Sequence, residues 1–191
     1  MAFRPIANTR SVTGIPTGRL AIWWVIGSEI VIFGGLLMSY LMFRLAHDEW
    51  AAHAANTNTA IGAFNTLVLL TSSLTAVLGH KAAEEGNGPK AAKMLWLTCL
   101  GGATFACVKA YEWSTEIAHG FTLTTNSFWG FYYTAAGLHA LHVIAGCIVM
   151  LIVANKARKG IDLHHVELIG LYWHFVDLVW IFLFPLLYIA K

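Results

Sequence analysis

Five stretches of the chain are apolar over nearly their whole length, and short polar segments separate them. They cover 20–45, 61–79, 91–111, 128–154 and 168–190. A bilayer-crossing helix needs about 20 mostly apolar residues, so the pattern predicts an all-α membrane protein, a bundle of five transmembrane helices. The polar tail before the first run, residues 1–19, contains Pro and Gly and has no cleavable signal pattern. The first run is itself too long for a signal-peptide core and is expected to remain as a helix. The connectors EEGNGPK (84–90) and NKARKGIDLHH (155–165) punctuate the later runs, with no internal repeat of the kind that builds many transporters.

Polar positions inside the runs show how the helices should associate. In the second run Asn65, Thr66, Ser72, Ser73 and Thr75 form one polar, small-residue stripe. Hydrocarbon cannot satisfy those groups, so the stripe should face other helices. Gly34–Gly35, Gly101–Gly102, Gly137 and Gly146 are expected to admit close helix approach. Trp23, Trp24, Trp50, Trp96, Trp113, Trp129 and Trp173 fall near predicted helix ends, where indoles suit the membrane interface; only Trp180 is expected to be deep.

Charge then sets direction. Lys and Arg gather in the tail (Arg4, Arg10, Arg19), the second connector (Lys81, Lys90, Lys93) and the fourth (Lys156, Arg158, Lys159). The first and third connectors have only Arg44 and Lys109 at their edges. The positive-inside rule places the amino terminus in the cytoplasm and the carboxyl terminus in the periplasm. The whole chain is 58% hydrophobic and 12% charged, with a mean hydropathy of +0.64, far from the roughly one-quarter charged residues of a soluble domain. A net charge of +2 offers no broad basic surface for nucleic acid. Cys99, Cys107 and Cys147 are too scattered for a disulfide framework or a metal site and read as small buried side chains.

An ionisable side chain at mid-membrane costs about 2.5–3.5 kcal/mol even on lenient scales, so it should face protein, water or another ionisable group. At about 1.5 Å per residue, Glu29 lies roughly 14 Å into its helix, His139 and His142 roughly 17 and 21 Å into theirs, and Asp177 roughly 14 Å into the last. His139 and His142 share a helical face, as do His174 and Asp177, each pair three residues apart. Internal hydrogen bonding, a proton relay through Glu29, a His/carboxylate metal site and a bis-His haem site on His142 and His174 are the roles open to them on these residues alone. No phosphate loop, nucleophile elbow or HExxH motif occurs.

Several of these segments together resemble one family. YWHFVDLVW (172–180), with HHVELIG before it, resembles the last helix of subunit III of the haem-copper cytochrome c oxidases. GLHALHVIAG (137–146), GSEIVIFGG (27–35), NTLVLLTSS (65–73) and AYEW (110–113) are similar to further segments of that family, in the same order. The resemblance extends over nearly everything after the tail and places Glu29 at the family's buried membrane carboxylate. It implies an accessory subunit without a redox centre, not an enzyme in isolation, that steadies the catalytic subunit, holds phospholipids and supports proton uptake. In such a complex oxygen reduction belongs to haem and copper in subunit I. The partners implied are subunit I, subunit II and membrane lipids, with no nucleic acid, in a bacterial inner membrane.

On that reading no catalytic residue and no metal ligand set is expected here. Glu29, His139, His142, His174 and Asp177 organise the bundle and its proton chemistry. Glu112 sits near the outer end of the third helix, and Arg158, His164 and His165 are candidate lipid headgroup contacts. Long members of the family have seven helices, two of them set apart by a lipid cleft; this chain begins at the equivalent of the third. A subunit III-like component of a quinol oxidase or nitric oxide reductase, a small proton channel or transporter, and a haem-b membrane anchor are the alternative functions.

Overall fold

The computed structural model describes residues 14–47 and 49–190; Arg4, Arg10 and most of the expected tail lie outside them. The helices are α1 (Thr17–Ala46), α2 (Trp50–Ala54), α3 (Thr59–Glu84), α4 (Gly88–Ala118), α5 (Ser127–Ala157) and α6 (His164–Phe184), which continues into a π-helical turn, Pro185–Ile189. Five of them are long and apolar enough to cross a membrane. They run past the apolar stretches at their ends because capping groups and paired polar side chains carry the helix beyond the purely apolar core.

Local sequence chemistry fixes the boundaries. Asn58, Asn87 and Asn126 cap α3, α4 and α5 by accepting hydrogen bonds from first-turn backbone N–H groups, satisfying donors that have no helical partner. Gly86 and Gly160 end α3 and α5 at positive φ (74° and 71°). There the following residues, Asn87 and Ile161, return their N–H groups to Ala82 O and Lys156 O, the bond pattern of a Schellman cap.

Helices α3, α4, α5 and α6 form a ring in which each packs against its two neighbours. Helix α1 lies outside it, against α5 and α6, and buries only Ile26, Phe33 and Tyr40. Those positions recur every two turns, giving one narrow seam; Trp23, Trp24, Val31, Met38 and Met42 on its other faces are exposed.

The polar stripe of α3 points into the ring. Thr66 Oγ1 accepts from Trp180 Nε1 and Ser72 Oγ from Trp173 Nε1, both at 3.0 Å. Ser73 Oγ meets His174 Nδ1 at 2.6 Å, and Thr75 and Thr98 hydroxyls lie 2.7 Å apart. The close approach this requires is made at Gly101, Gly102 and Gly146. A Cβ on Gly101 would lie 2.6 Å from Ser72 Cβ, and one on Gly102 2.6 Å from Cys147 Sγ.

Four sequence expectations need correction. Gly34 and Gly35 face nothing within 4 Å, because they sit on the open side of α1. Trp173 is fully buried in the ring; α6 begins at His164, so Trp173 lies well inside the helix. Cys107 is exposed on the outward side of α4. Lys109 is only 1% exposed and is no connector charge, since α4 continues to Ala118.

The carboxyl-terminal turn is held by hydroxyls. Pro185 has no N–H to give to the helix ladder, and the ladder widens until Ala190 N–H reaches Pro185 O at 2.8 Å. The freed carbonyls find other donors: Tyr40 OH to Leu186 O (2.6 Å), Thr57 Oγ1 to Leu187 O (3.3 Å) and Thr59 Oγ1 to Tyr188 O (3.0 Å). This clasp ties α1 and the start of α3 to the last turn and turns the Tyr188 ring inward.

Candidate functional site

The residues singled out from the sequence are all inside the bundle or at its rim, but they do not converge on one point. Glu29 on α1 and His142 on α5 pair across the helix contact, Oε2 to Nε2 at 3.1 Å, with each side chain about one-sixth exposed. His142 Nδ1 lies 2.7 Å from Leu138 O, and Tyr172 OH donates to His142 O at 3.2 Å. The second oxygen-bearing column is on the far side of α6. There His174 is bonded to Ser73, which also stands beside Asp177. Asp177 is 4% exposed, and neither of its oxygens has a donor within hydrogen-bond geometry. The pair expected from the sequence spacing is thus mediated by α3.

His139 turns away from His142 into the ring. It stacks on Trp180 (centroids 5.1 Å) and meets the edge of Phe105 (5.3 Å), with both ring nitrogens buried and unpartnered. Asn65, fully buried, likewise has no partner for either amide atom. A bis-His haem would need His142 and His174 to face one another. The first instead spends its nitrogens on Glu29 and Leu138 while the second bonds α3, so these residues do not fit an axial pair.

A second cluster, nearer the end where the chain finishes, was not anticipated. Lys109, Glu112 and Glu116 follow one face of α4 and meet Tyr132 of α5 and Tyr188 of the π turn; all are at least 93% buried. Lys109 Nζ donates to Glu112 Oε2 (3.0 Å), Tyr132 OH (3.0 Å) and Tyr188 OH (2.6 Å). Tyr132 OH donates to Glu116 Oε1 at 3.1 Å and lies 3.1 Å from Tyr188 OH. The ammonium also sits 4.8 Å from the Tyr132 ring centroid and 5.4 Å from that of Trp113, a favourable cation–π distance. Glu112, placed by the sequence near the outer end of its helix, is therefore enclosed by protein. The spacing Lys109–Glu112–Glu116 was the available signal, since residues three and four apart share a helix face. It was missed because a charge close to a connector reads as solvated.

At the opposite end, an apolar cleft of about 330 Å³ opens between α1, α5 and α6, lined by Ile22, Ala145, Val149, Leu168, Tyr172 and His165 among others. Arg19 pairs with Glu167 at 2.6 Å close by. Asp162, at φ 54°, holds Lys156 Nζ at 3.6 Å and His165 Nδ1 at 3.8 Å. The His164 and His165 rings lie tilted at 38° to one another, with centroids 4.1 Å apart, and Arg158 is exposed on the same connector. Of the three candidate headgroup residues, His165 alone lines the cleft.

Fold and site together define a polytopic helical membrane protein that buries ionisable side chains within its bundle. Comparison with known proteins specifies it further. The family model for cytochrome c oxidase subunit III matches residues 8–191. Cytochrome c oxidase subunit 3 of Thermostichus vulcanus is 35% identical over 167 residues, covering 85% of this chain and 82% of that protein. The probable cytochrome c oxidase subunit 3 of Nocardia farcinica is 32% identical over 175 residues (89% and 85%), and that of Bacillus sp. strain PS3 29% over 174 (89% and 84%). The chain belongs to the cytochrome c oxidase subunit III family. It is an accessory subunit of an oxidoreductase complex of the haem-copper oxidase class and a multi-pass protein of a bacterial inner membrane.

Proposed function

We propose that this chain has no redox chemistry of its own, and that it steadies the haem- and copper-bearing subunit I, with subunit II as a further neighbour. The observation that carries the reading is where the histidines and carboxylates are spent: Glu29 on His142, His174 on Ser73, Glu112 on Lys109. The first two fasten one helix to another, and Lys109 carries the third on to Tyr132 of α5 and Tyr188 of the π turn. The electron donor is cytochrome c, the reading favoured by the names of the relatives, over quinol.

Glu29 and His142 supply the proton function of the subunit. They form a part-buried carboxylate–imidazole pair at the contact of α1 with α5, 3.1 Å apart, close enough for a proton to pass between them. The cleft beside them suits an acyl chain, and its rim suits an anionic headgroup: Lys156 and Arg158 surround His164 and His165, and each such basic residue contributes about 1 kcal/mol near an anionic surface. The same basic surroundings disfavour a metal cation on Asp162, His164 and His165, whose ligand atoms lie within 4.8 Å of one another. With these connectors at the cytoplasmic side, the amino terminus is cytoplasmic and the carboxyl terminus periplasmic.

Purification of the tagged chain from its membrane tests the proposal. It should bring down a haem-bearing partner, while the chain stripped of partners should have no Soret band. A chain that runs alone, or one that keeps haem after stripping, contradicts it. Proton flux through the chain alone in vesicles would instead support the channel reading.

A further inference from the structure

The buried cluster around Lys109 contains one cation and two carboxyl groups, all within protein. Its hydrogens can be followed individually. An ammonium has three donors and a phenol one. Lys109 gives its three to Glu112, Tyr132 and Tyr188. Tyr132, which lies within reach of Tyr188, gives its own to Glu116, leaving the Tyr188 proton for the Tyr132 oxygen. Tyr133 stands near Glu116, but its hydroxyl donates to Phe121 O at 2.8 Å.

The donor hydrogens of Lys109, Tyr132 and Tyr188 are then committed, and two carboxyl oxygens remain without one: Glu112 Oε1 and Glu116 Oε2. With both acids ionised, the site would hold a net negative charge and two unpaired oxygens away from water, and both features are costly. A single proton removes the excess charge and satisfies one of those oxygens. It needs no added volume, and unlike a metal cation it needs no coordination shell beside an ammonium.

We propose that Glu112 and Glu116 form a one-proton binding site, in which two carboxyl groups with Lys109 as common counter-ion carry a single exchangeable proton. Glu116 is its port. It is the less buried of the two, at 7% exposed against 1%, and stands within the last turn of α4, which ends at Ala118. The groups facing the site are Lys109, Glu112 and Glu116 from α4, Tyr132, Tyr133 and the deeper His139 from α5, and Tyr188 from the π turn. The rings of Trp113 and Trp180, which also face Lys109, add no charge. The site is separate from the Glu29–His142 pair, which is on another helix contact and involves none of these residues.

The measurement is infrared difference spectroscopy on the purified membrane complex containing this chain, wild type against variant, in the region where protonated carboxyl groups absorb and carboxylates do not. Carboxyls elsewhere in the complex cancel in the subtraction. Glu116→Gln and Glu112→Gln should each remove one band, and the same band, because the remaining acid then ionises against Lys109. Glu116→Asp should retain a band at a shifted frequency, which separates loss of the proton from loss of the fold. Lys109→Met, lacking the counter-ion, should gain a second band. No band lost in either Gln variant, a band lost in only one, or different bands lost in the two would each overturn the proposal.

Discussion

Gly102 lets α4 approach Cys147 and Trp173 closely, and replacing it by alanine tests the packing directly. An added Cβ would lie 2.6 Å from Cys147 Sγ and 2.7 Å from Trp173 Cη2, about 1 Å inside the optimum for carbon contacts. Trp173 cannot retreat, because its indole N–H is bonded to Ser72 and its other edge meets Gly146, where a Cβ would already be 3.2 Å away. Overpacking of this kind costs about 1–3 kcal/mol, and the better helix propensity of alanine returns about 0.5–1 kcal/mol. The expected net loss is roughly 1–2 kcal/mol. The control is Gly35→Ala on α1, where nothing lies within 4 Å, so only the propensity gain of up to about 1 kcal/mol remains. Unfolding of the purified chain in a graded denaturing-detergent series, followed by tryptophan fluorescence, reads both. If the two substitutions shift the midpoint in the same direction, the helix contact is not where the geometry puts it.

Other perturbations separate the remaining contacts. Tyr40→Phe removes only the bond to Leu186 O and should cost about 0.5–1.5 kcal/mol, visible as faster amide exchange over residues 186–190. Ser73→Ala strands His174 in the α3–α6 contact at about 1–3 kcal/mol, lowering the thermal midpoint of the complex. Asp177→Leu leaves that bond in place and removes oxygens without donors, so the amount of assembled complex should be retained. Its loss would show that Asp177, not Ser73, orients His174. Pro185→Ala lets the last turn close as an α-helix and shifts Tyr188 away from Lys109. Stability should fall despite the usual gain from replacing proline within a helix, and a rise would refute the role given to the π turn.

What could be read from the chain follows from which physical term dominates at each place. Span number and the inward polar stripe of α3 were legible because hydrocarbon excludes unpaired polar groups at every turn of a helix. The asparagine caps at 58, 87 and 126 likewise follow from local chemistry. The ends of α4 were not legible: Glu112 and Glu116 look like a boundary to any hydropathy criterion, and only their pairing with Lys109 and Tyr132 keeps that segment helical and enclosed. The facing of side chains was half legible. The three-residue spacing put His139 and His142 on one face, but it could not show that one imidazole goes to Glu29 and the other into the ring against Trp180. The packing value of glycines was invisible too. Gly35 and Gly102 are alike in sequence context, and only the neighbouring helix distinguishes them.

The hydroxyl clasp on the final turn has a consequence for biogenesis. Helix α1 precedes its partners α5 and α6 in the chain, and Tyr40 waits for a carbonyl at position 186. Until α6 has been made, α1 must therefore drift in lipid or rest on an insertion factor. It finds its seat only after the ring it leans on has emerged, and arrival of the π turn is the event that locks it.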